Sequence, residues 1–448
     1  MSSIKRRHFL HRAGSTLAAI GLSQFDFLYQ ADRYGRVVAQ STHRKLALLV
    51  GINHYQGGIR NLNGCLTDVD LQKYLLIHRF GFDPKNILEI TNRTLDQPTR
   101  ENILTAFREH LIKQAKPNDV VVFHYSGHGA LVRDPNPIRD ENYDVNNNEV
   151  CQNSICQFNG TIVPMDASAI SETDSEIVVP DIMGRTLFLL MSAIQTENLT
   201  VILDSCHSGA GTRGNVVVRA ADRATRYEQS AIPSPAELEY QEQLRSELNL
   251  SLSAFQQARQ QGIAKGVALG SAQRNQEAID TTIGDDIYAG GFTYLLTRYL
   301  WQQTSNDAAA TVYPRLALST NSLAEMKRRM SQIPIFEYKP NSNNDRQPLY
   351  FLQASSMPSE AVITKVDSHD QIEFWLGGVA SQSLQSQGKG NTFAILDATG
   401  TAIGEIEQTG RKGLYGYGKL TSNRSPAVEP PAVEVNHLLR ERIVGLPA

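Results

Sequence analysis

Apolar residues in this chain fall into short runs that alternate with stripes at helical spacing. Lys45–Ile52 (KLALLVGI) is an apolar run closed by Asn53-His54 and Gly57-Gly58, which predicts a buried strand. Leucines at helical spacing predict a helix over Cys65–Arg79, and Ile87–Thr91 predicts a second strand. Thr99 is placed to cap a helix reaching Ala115, with Ile103, Leu104, Phe107 and Leu111 on one face. Asp119–Tyr125 (DVVVFHY) predicts a third strand, Asp181–Gln195 a helix and Thr200–Asp204 (TVILD) a fourth strand. Strands alternating with helices imply right-handed crossovers and a mostly parallel sheet covered on both faces. The fold class is therefore α/β.

The regularity stops at Gly209. Arg213, Arg219, Arg223 and Arg226 are followed by a Pro-rich turn and a long polar helix over Pro235–Gln261. Residues 212–265 read as a surface insertion. The α/β pattern then resumes with a strand over Gly266–Ala272, a helix over Gly291–Gln302 and a last strand over Pro348–Leu352. Past Met357 the composition changes. Gln371–Leu376, Thr392–Leu396 and Leu414–Leu420 are short strand-like segments separated by Gly and Asp/Asn turns. Residues 358–448 read as a separate small β domain, with no helix signal until near Glu434. No internal repeat is present.

Composition narrows the function classes. The 448 residues suit two or three domains. A net charge of -3 is not that of a protein that neutralises many phosphates, so nucleic acid is excluded as a main partner. The four cysteines are too few for a disulfide scaffold, and none stands at zinc-finger spacing. Cys151 and Cys156 are close enough in sequence to pair in an oxidising compartment, or else are two thiols. Residues 1–44 form a leader in which Arg6-Arg7 precede a mildly apolar run, Ala13–Leu22, with Val37-Val38-Ala39 as a cleavage end. This resembles a twin-arginine export signal; the alternative is a basic leader without an address, on a cytoplasmic protein. No other stretch approaches the ~20 apolar residues of an integral membrane span.

Candidate chemistry lies at two strand ends. Phe123-His124-Tyr125-Ser126-Gly127-His128-Gly129 ends the third strand, and Leu203-Asp204-Ser205-Cys206-His207-Ser208-Gly209 ends the fourth. Ligands of open α/β sheets bind in the crevice outside such ends, so the two segments are expected to converge. A cysteine attacks as thiolate and needs a nearby group to take its proton, and an imidazole titrates in the right range. His124 and His207 rival His128 as that base. Gly127 and Gly129 leave room for a substrate backbone and expose N–H groups that can stabilise an oxyanion.

His-Tyr-Ser-Gly-His-Gly followed by Asp-Ser-Cys-His-Ser-Gly resembles the metacaspase and bacterial orthocaspase branch of the caspase superfamily. The resemblance covers roughly Lys45 to Leu352 and includes Leu62–Asp68 and Gly291-Phe292-Thr293. It implies a caspase-like mostly parallel sheet flanked by helices, with a large segment over 45–211 and a small one over 266–352. It implies a Cys206–His128 dyad, with the Gly127 and Cys206 N–H groups as the oxyanion hole. It also implies cleavage of protein or peptide substrates after Arg or Lys, with Cys65, Asp68, Ser126 and Asp204 lining the pocket. Physical chemistry agrees, since a carboxylate at a pocket floor takes a guanidinium by charge-assisted hydrogen bonds. An enzyme of that specificity finds its own substrate at Arg219, Arg223 and Arg226, with Arg219 first because it follows the extended Asn215–Val218. Self-cleavage there is the expected route from zymogen to active enzyme. The rival function is an inactive scaffold that binds partners through the β domain.

No cofactor or metal is expected. Asp166 and Asp181 match two acids of the calcium site that many metacaspases use, but Pro180 and Arg213 stand where other acids are often found. The loop Asp140–Asn148 alternates oxygen side chains like a calcium loop, yet Val145 replaces the turn glycine and Cys151 the bidentate glutamate.

Overall fold

The computed structural model describes residues 43–137, 158–172, 176–205, 231–273, 276–353, 357–367, 371–385, 390–421 and 433–443. Residues 1–42, Asp140–Asn148, Cys151, Cys156, Cys206, His207, Arg213, Arg219, Arg223 and Arg226 lie outside the described residues.

Six strands form the central sheet: β1 (Lys45–Gly51), β2 (Ile87–Thr91), β3 (Val120–Ser126), β4 (Leu199–Asp204), β5 (Val267–Gly270) and β6 (Ile335–Tyr338). Their spatial order is β6-β5-β4-β3-β1-β2. Every neighbouring pair is parallel except β5 with β6, which is antiparallel. The order reverses direction at β1, so a crevice opens between the C-terminal ends of β1 and β3. Among the described residues, the helices that accompany the sheet are α1 (Cys65–Phe80), α2 (Arg100–Ala106), α3 (Gly184–Ala193), α4 (Pro235–Glu247), α5 (Leu252–Gln261), α6 (Gly291–Gln302) and α7 (Ala309–Arg328).

Alternate residues of the buried strands serve opposite faces. Ala47, Leu49 and Val122 pack with Leu71, Leu75 and Leu76 of α1 and Phe292 and Leu296 of α6. Leu46, Leu48 and Val121 pack with Ile103 of α2, Leu187 and Leu190 of α3, Leu244 of α4 and Phe255 of α5. Sequence signals explain the helix ends. Thr99 Oγ1 accepts the Asn102 N–H at the start of α2. Gly81 ends α1 at φ 65°, in the left-handed region where glycine carries no Cβ penalty.

Three expectations change. First, residues 231–265 are not surface insertion. Pro235–Gln261 is two helices joined through Asn249 at φ 51°, and Leu244, Phe255 and Ile263 are buried in the main core. Glu237 is buried too: it accepts the Met183 N–H at 2.8 Å and the Thr186 hydroxyl, and it pairs with Arg100 at 2.6 Å. On α5, Arg259 reaches Asp134, which also holds Arg185 of α3. Besides exposed polar positions, the buried faces of these helices carry Glu237 and Arg259, whose charges are paired with Arg100 and Asp134 elsewhere in the chain.

Second, Pro348–Leu352 is not a strand. Tyr350 and Phe351 have φ of 62° and 55°, and the buried Tyr350 hydroxyl donates to Gln72 Oε1 at 2.6 Å. The last sheet strand is Ile335–Tyr338 instead, set between Pro334 and Pro340.

Third, the C-terminal strands close on themselves: β7 (Ala361–Val366), β8 (Gln371–Trp375), β9 (Thr392–Leu396), β10 (Ala402–Lys412), β11 (Tyr415–Leu420) and β12 (Leu438–Ile443). They form a barrel in the order β7-β8-β11-β10-β9-β12. The helix expected near Glu434 is replaced by β12. Ile363, Phe374, Phe393 and Ile406 of the barrel belong to the same continuous apolar cluster as α1 and α6. Trp375 stacks on Tyr74 of α1 at 4.2 Å between ring centroids, and Arg79 donates to Gln303 O and Met357 O. The β region is thus packed into the peptidase-like region rather than tethered to it. Among the described residues no helix is long and apolar enough to cross a membrane.

Candidate active site

The ends of three neighbouring strands align. Gly51 of β1 pairs with Ser126 of β3, and Ser126 pairs with Asp204 of β4. Helix α1 starts directly above this edge: a Cβ on Gly51 would lie 2.6 Å from Val69 Cγ2 and 2.7 Å from Cys65 O. Hence the strand end needs glycine, and the closeness brings Cys65 and Asp68 over Ser126.

The acids expected to line a pocket both bond to the start of α6. Asp68, Ser126, Asp204 and Cys65 are all fully buried. Ser126 Oγ donates to Asp68 Oδ2 at 2.7 Å. The Gly290 N–H reaches both Asp68 oxygens at 2.9 and 3.1 Å, and the Thr293 N–H donates to Asp204 Oδ2 at 2.9 Å. Both carboxylates thus take otherwise unused N–H groups at the start of α6, where the helix dipole favours negative charge. Gly290 and Thr293 act through backbone N–H groups, which residue type does not advertise.

His128 is 3% exposed, just past the end of β3. Its Nε2 lies 2.6 Å from Arg60 O. A carbonyl only accepts, so Nε2 carries the hydrogen and Nδ1 of the neutral ring keeps the lone pair. Nδ1 is therefore the basic atom. His124 faces elsewhere: its Nε2 is 3.4 Å from Thr293 Oγ1, on the same sheet face as Ser126. His207 and Cys206 lie outside the described residues. The residue before Cys206 is held firmly, however. Ser205 N–H donates to Ser271 Oγ at 2.9 Å, and Ser271 Oγ–H donates to Ser205 O at 2.8 Å. Ser271 follows β5 and was missed in the sequence because a serine after a strand has no distinguishing pattern.

Gly127 plays a different part from the one expected. Its N–H donates to Asp204 O at 3.3 Å, so it extends the β3–β4 ladder, which counts against it as an oxyanion donor. Its lack of a side chain is still required. A Cβ there would lie 2.5 Å from Tyr125 Oη and 2.7 Å from Tyr55 Oη.

Asp166 and Asp181 have structural partners. Asp166 Oδ1 accepts the Arg100 N–H at 2.9 Å, and Asp181 Oδ2 accepts the Thr161 hydroxyl at 2.7 Å. Among the described residues no group of three or more His, Cys, Asp and Glu side chains is gathered to hold a metal ion.

A five-stranded parallel run with an antiparallel edge, flanked by helices, is a caspase-like α/β fold. Residues 45–212 match the family model for the metacaspase peptidase C14 domain. The chain is similar to Metacaspase-1 of Meyerozyma guilliermondii, at 38% identity over 169 residues, 37% of this chain and 35% of that protein. It is 34% identical to Metacaspase-1 of Sclerotinia sclerotiorum over 182 residues, 40% of this chain and 36% of the relative. Metacaspase-1 of Yarrowia lipolytica is 35% identical over 170 residues, 37% of this chain and 32% of its own length. The chain spans about a third of the length of these curated relatives.

Proposed function

We propose that this chain is a cysteine endopeptidase that cleaves after Arg or Lys and is activated by cutting itself after Arg219, Arg223 or Arg226. The observation that carries the reading is the pair of buried carboxylates at Ser126, two residues before His128: Asp204 at the end of β4, which pairs with Ser126, and Asp68 in the first turn of α1, which accepts the Ser126 hydroxyl. In this mechanism His128 Nδ1 takes the Cys206 thiol proton, and the thiolate attacks the scissile carbonyl carbon. The oxyanion forms against the Cys206 N–H. The C–N bond then breaks, and the imidazolium returns the proton to the leaving amine. Water, deprotonated by the same nitrogen, releases the acid and restores the thiol. Ser271 supports this by fixing both peptide groups of Ser205, the residue that precedes Cys206. A substrate guanidinium would find Asp68 and Asp204 as acceptors already oriented by Ser126 and by the start of α6, whereas an Asp side chain would be repelled. Profiling the full chain on a peptide library tests the reading: Arg and Lys should dominate at P1. Equal hydrolysis of Asp-P1 and Arg-P1 peptides would rule the pocket assignment out.

A further inference from the structure

The turn that carries His128 is held by two tyrosines from different parts of the chain. His128 N–H donates to Tyr55 Oη at 2.6 Å. The Tyr55 and Tyr125 side chains interact, and because the Tyr125 proton goes to a carbonyl, Tyr55 is the donor of any bond between the two hydroxyls. The Tyr125 hydroxyl donates to His128 O at 2.5 Å, with Val163 O as a longer second acceptor at 3.0 Å. The path leaves the backbone N–H of His128 and returns to its own carbonyl. Besides this, the Tyr55 ring packs on the imidazole at 4.7 Å between centroids. Gly127 fits only because its missing Cβ leaves room for both hydroxyls.

We propose that Tyr55 and Tyr125 are positioning residues: their closed ring of hydrogen bonds fixes the His128 backbone, so the imidazole meets the nucleophile in one orientation. Burial raises both phenols above the ordinary tyrosine range, so the hydroxyls stay protonated and serve as fixed donors rather than as acids. Tyr55 shares its loop with Arg60, whose carbonyl holds Nε2. The loop itself is pinned by asparagines: Asn61 Oδ1 accepts the Tyr55 N–H at 3.0 Å, and Asn92 Oδ1 accepts the N–H groups of Asn53 and His54. One segment after β1 therefore sets both the backbone and the ring of the base.

The inference rests on the dyad reading, and one experiment separates the two. In the full chain, alkylation of the Cys206 peptide by iodoacetamide is followed by mass spectrometry across pH. Wild type, His128→Ala, Tyr55→Phe, Tyr125→Phe and the double Phe variant are compared. A paired imidazole keeps thiolate present below the ordinary thiol pKa of about 8.5, so wild type should react at lower pH than His128→Ala. Each Phe variant keeps its ring and volume but breaks the hydrogen-bond ring. Each should shift toward the His128→Ala profile, with kcat down about tenfold on an Arg-P1 peptide and KM changed less than about twofold. The double variant should be no worse than the more impaired single, because members of one ring act as a unit. Wild-type profiles and kcat in both Phe variants, beside a shifted His128→Ala, overturn the ring and leave the dyad standing. Coincident wild-type and His128→Ala profiles overturn the dyad and, with it, the ring.

Discussion

A neutral imidazole accepts one proton, and the Arg60 carbonyl decides which nitrogen receives it. Cys206→Ala should therefore abolish peptide hydrolysis while leaving the melting curve in place, and His128→Ala should nearly match it. Substantial turnover by either folded variant would remove that residue from the mechanism. The pocket carboxylates make a separate prediction. Asp204→Asn keeps the acceptor for the Thr293 N–H but removes the charge, so the loss should fall on cationic substrates. Losing one partner of a desolvated charge pair costs about 2–5 kcal/mol, so kcat/KM for Arg-P1 peptides should drop at least about thirtyfold. A neutral-P1 peptide measured alongside should change far less; equal loss on both would point to a folding defect.

Helices α4 and α5 anchor residues 235–261 to the core. Glu237 joins α4 to α2 through Arg100 and to the start of α3 through the Met183 N–H. Replacing it with alanine leaves a buried N–H and an arginine without their acceptor. Breaking a buried pair in this way should lower unfolding free energy by about 3–5 kcal/mol in urea titrations. A change under about 1 kcal/mol would show that solvent replaces the carboxylate there. The same anchoring bears on self-cleavage. A cut after Arg219 leaves the downstream piece held by α4, α5 and β5, so both halves should stay associated. Purified protein should yield a second N-terminus at Ala220, while Cys206→Ala stays whole under the same conditions. Cutting of the Cys206→Ala chain at that bond would assign the event to a contaminating protease.

At the scale of the whole molecule, the barrel shares one apolar cluster with α1, which carries Asp68, and with α6, whose start supplies N–H groups to Asp68 and Asp204. Trp375 is 2% exposed and stacks on Tyr74, and Tyr74 Oη meets Tyr415 Oη at 2.9 Å. Residues 45–448 should therefore unfold as one cooperative unit. Trp375→Ala should lower its stability by about 3–5 kcal/mol and move the single calorimetric transition down. Two resolved transitions in the unaltered chain would contradict this.

The strand and helix pattern of Lys45–Asp204 was legible because parallel strands buried on both faces read as apolar runs, and their helices as stripes. The meeting of the β3 and β4 ends was legible for a related reason: the ends of neighbouring parallel strands lie side by side. The tertiary structure alone decided the rest. It brought Tyr55 and Arg60 to His128, Ser271 to Ser205, and the N–H groups of Gly290 and Thr293 to the two acids. Except for the tyrosine and serine hydroxyls, these contacts use backbone groups, which are alike in every residue and leave no mark on sequence. It also turned the polar helices inward, by pairing Glu237 with Arg100 and Asp134 with Arg185 and Arg259. Composition could not foresee that, because a charged side chain reads as exposed until its partner, distant in sequence, is seen beside it.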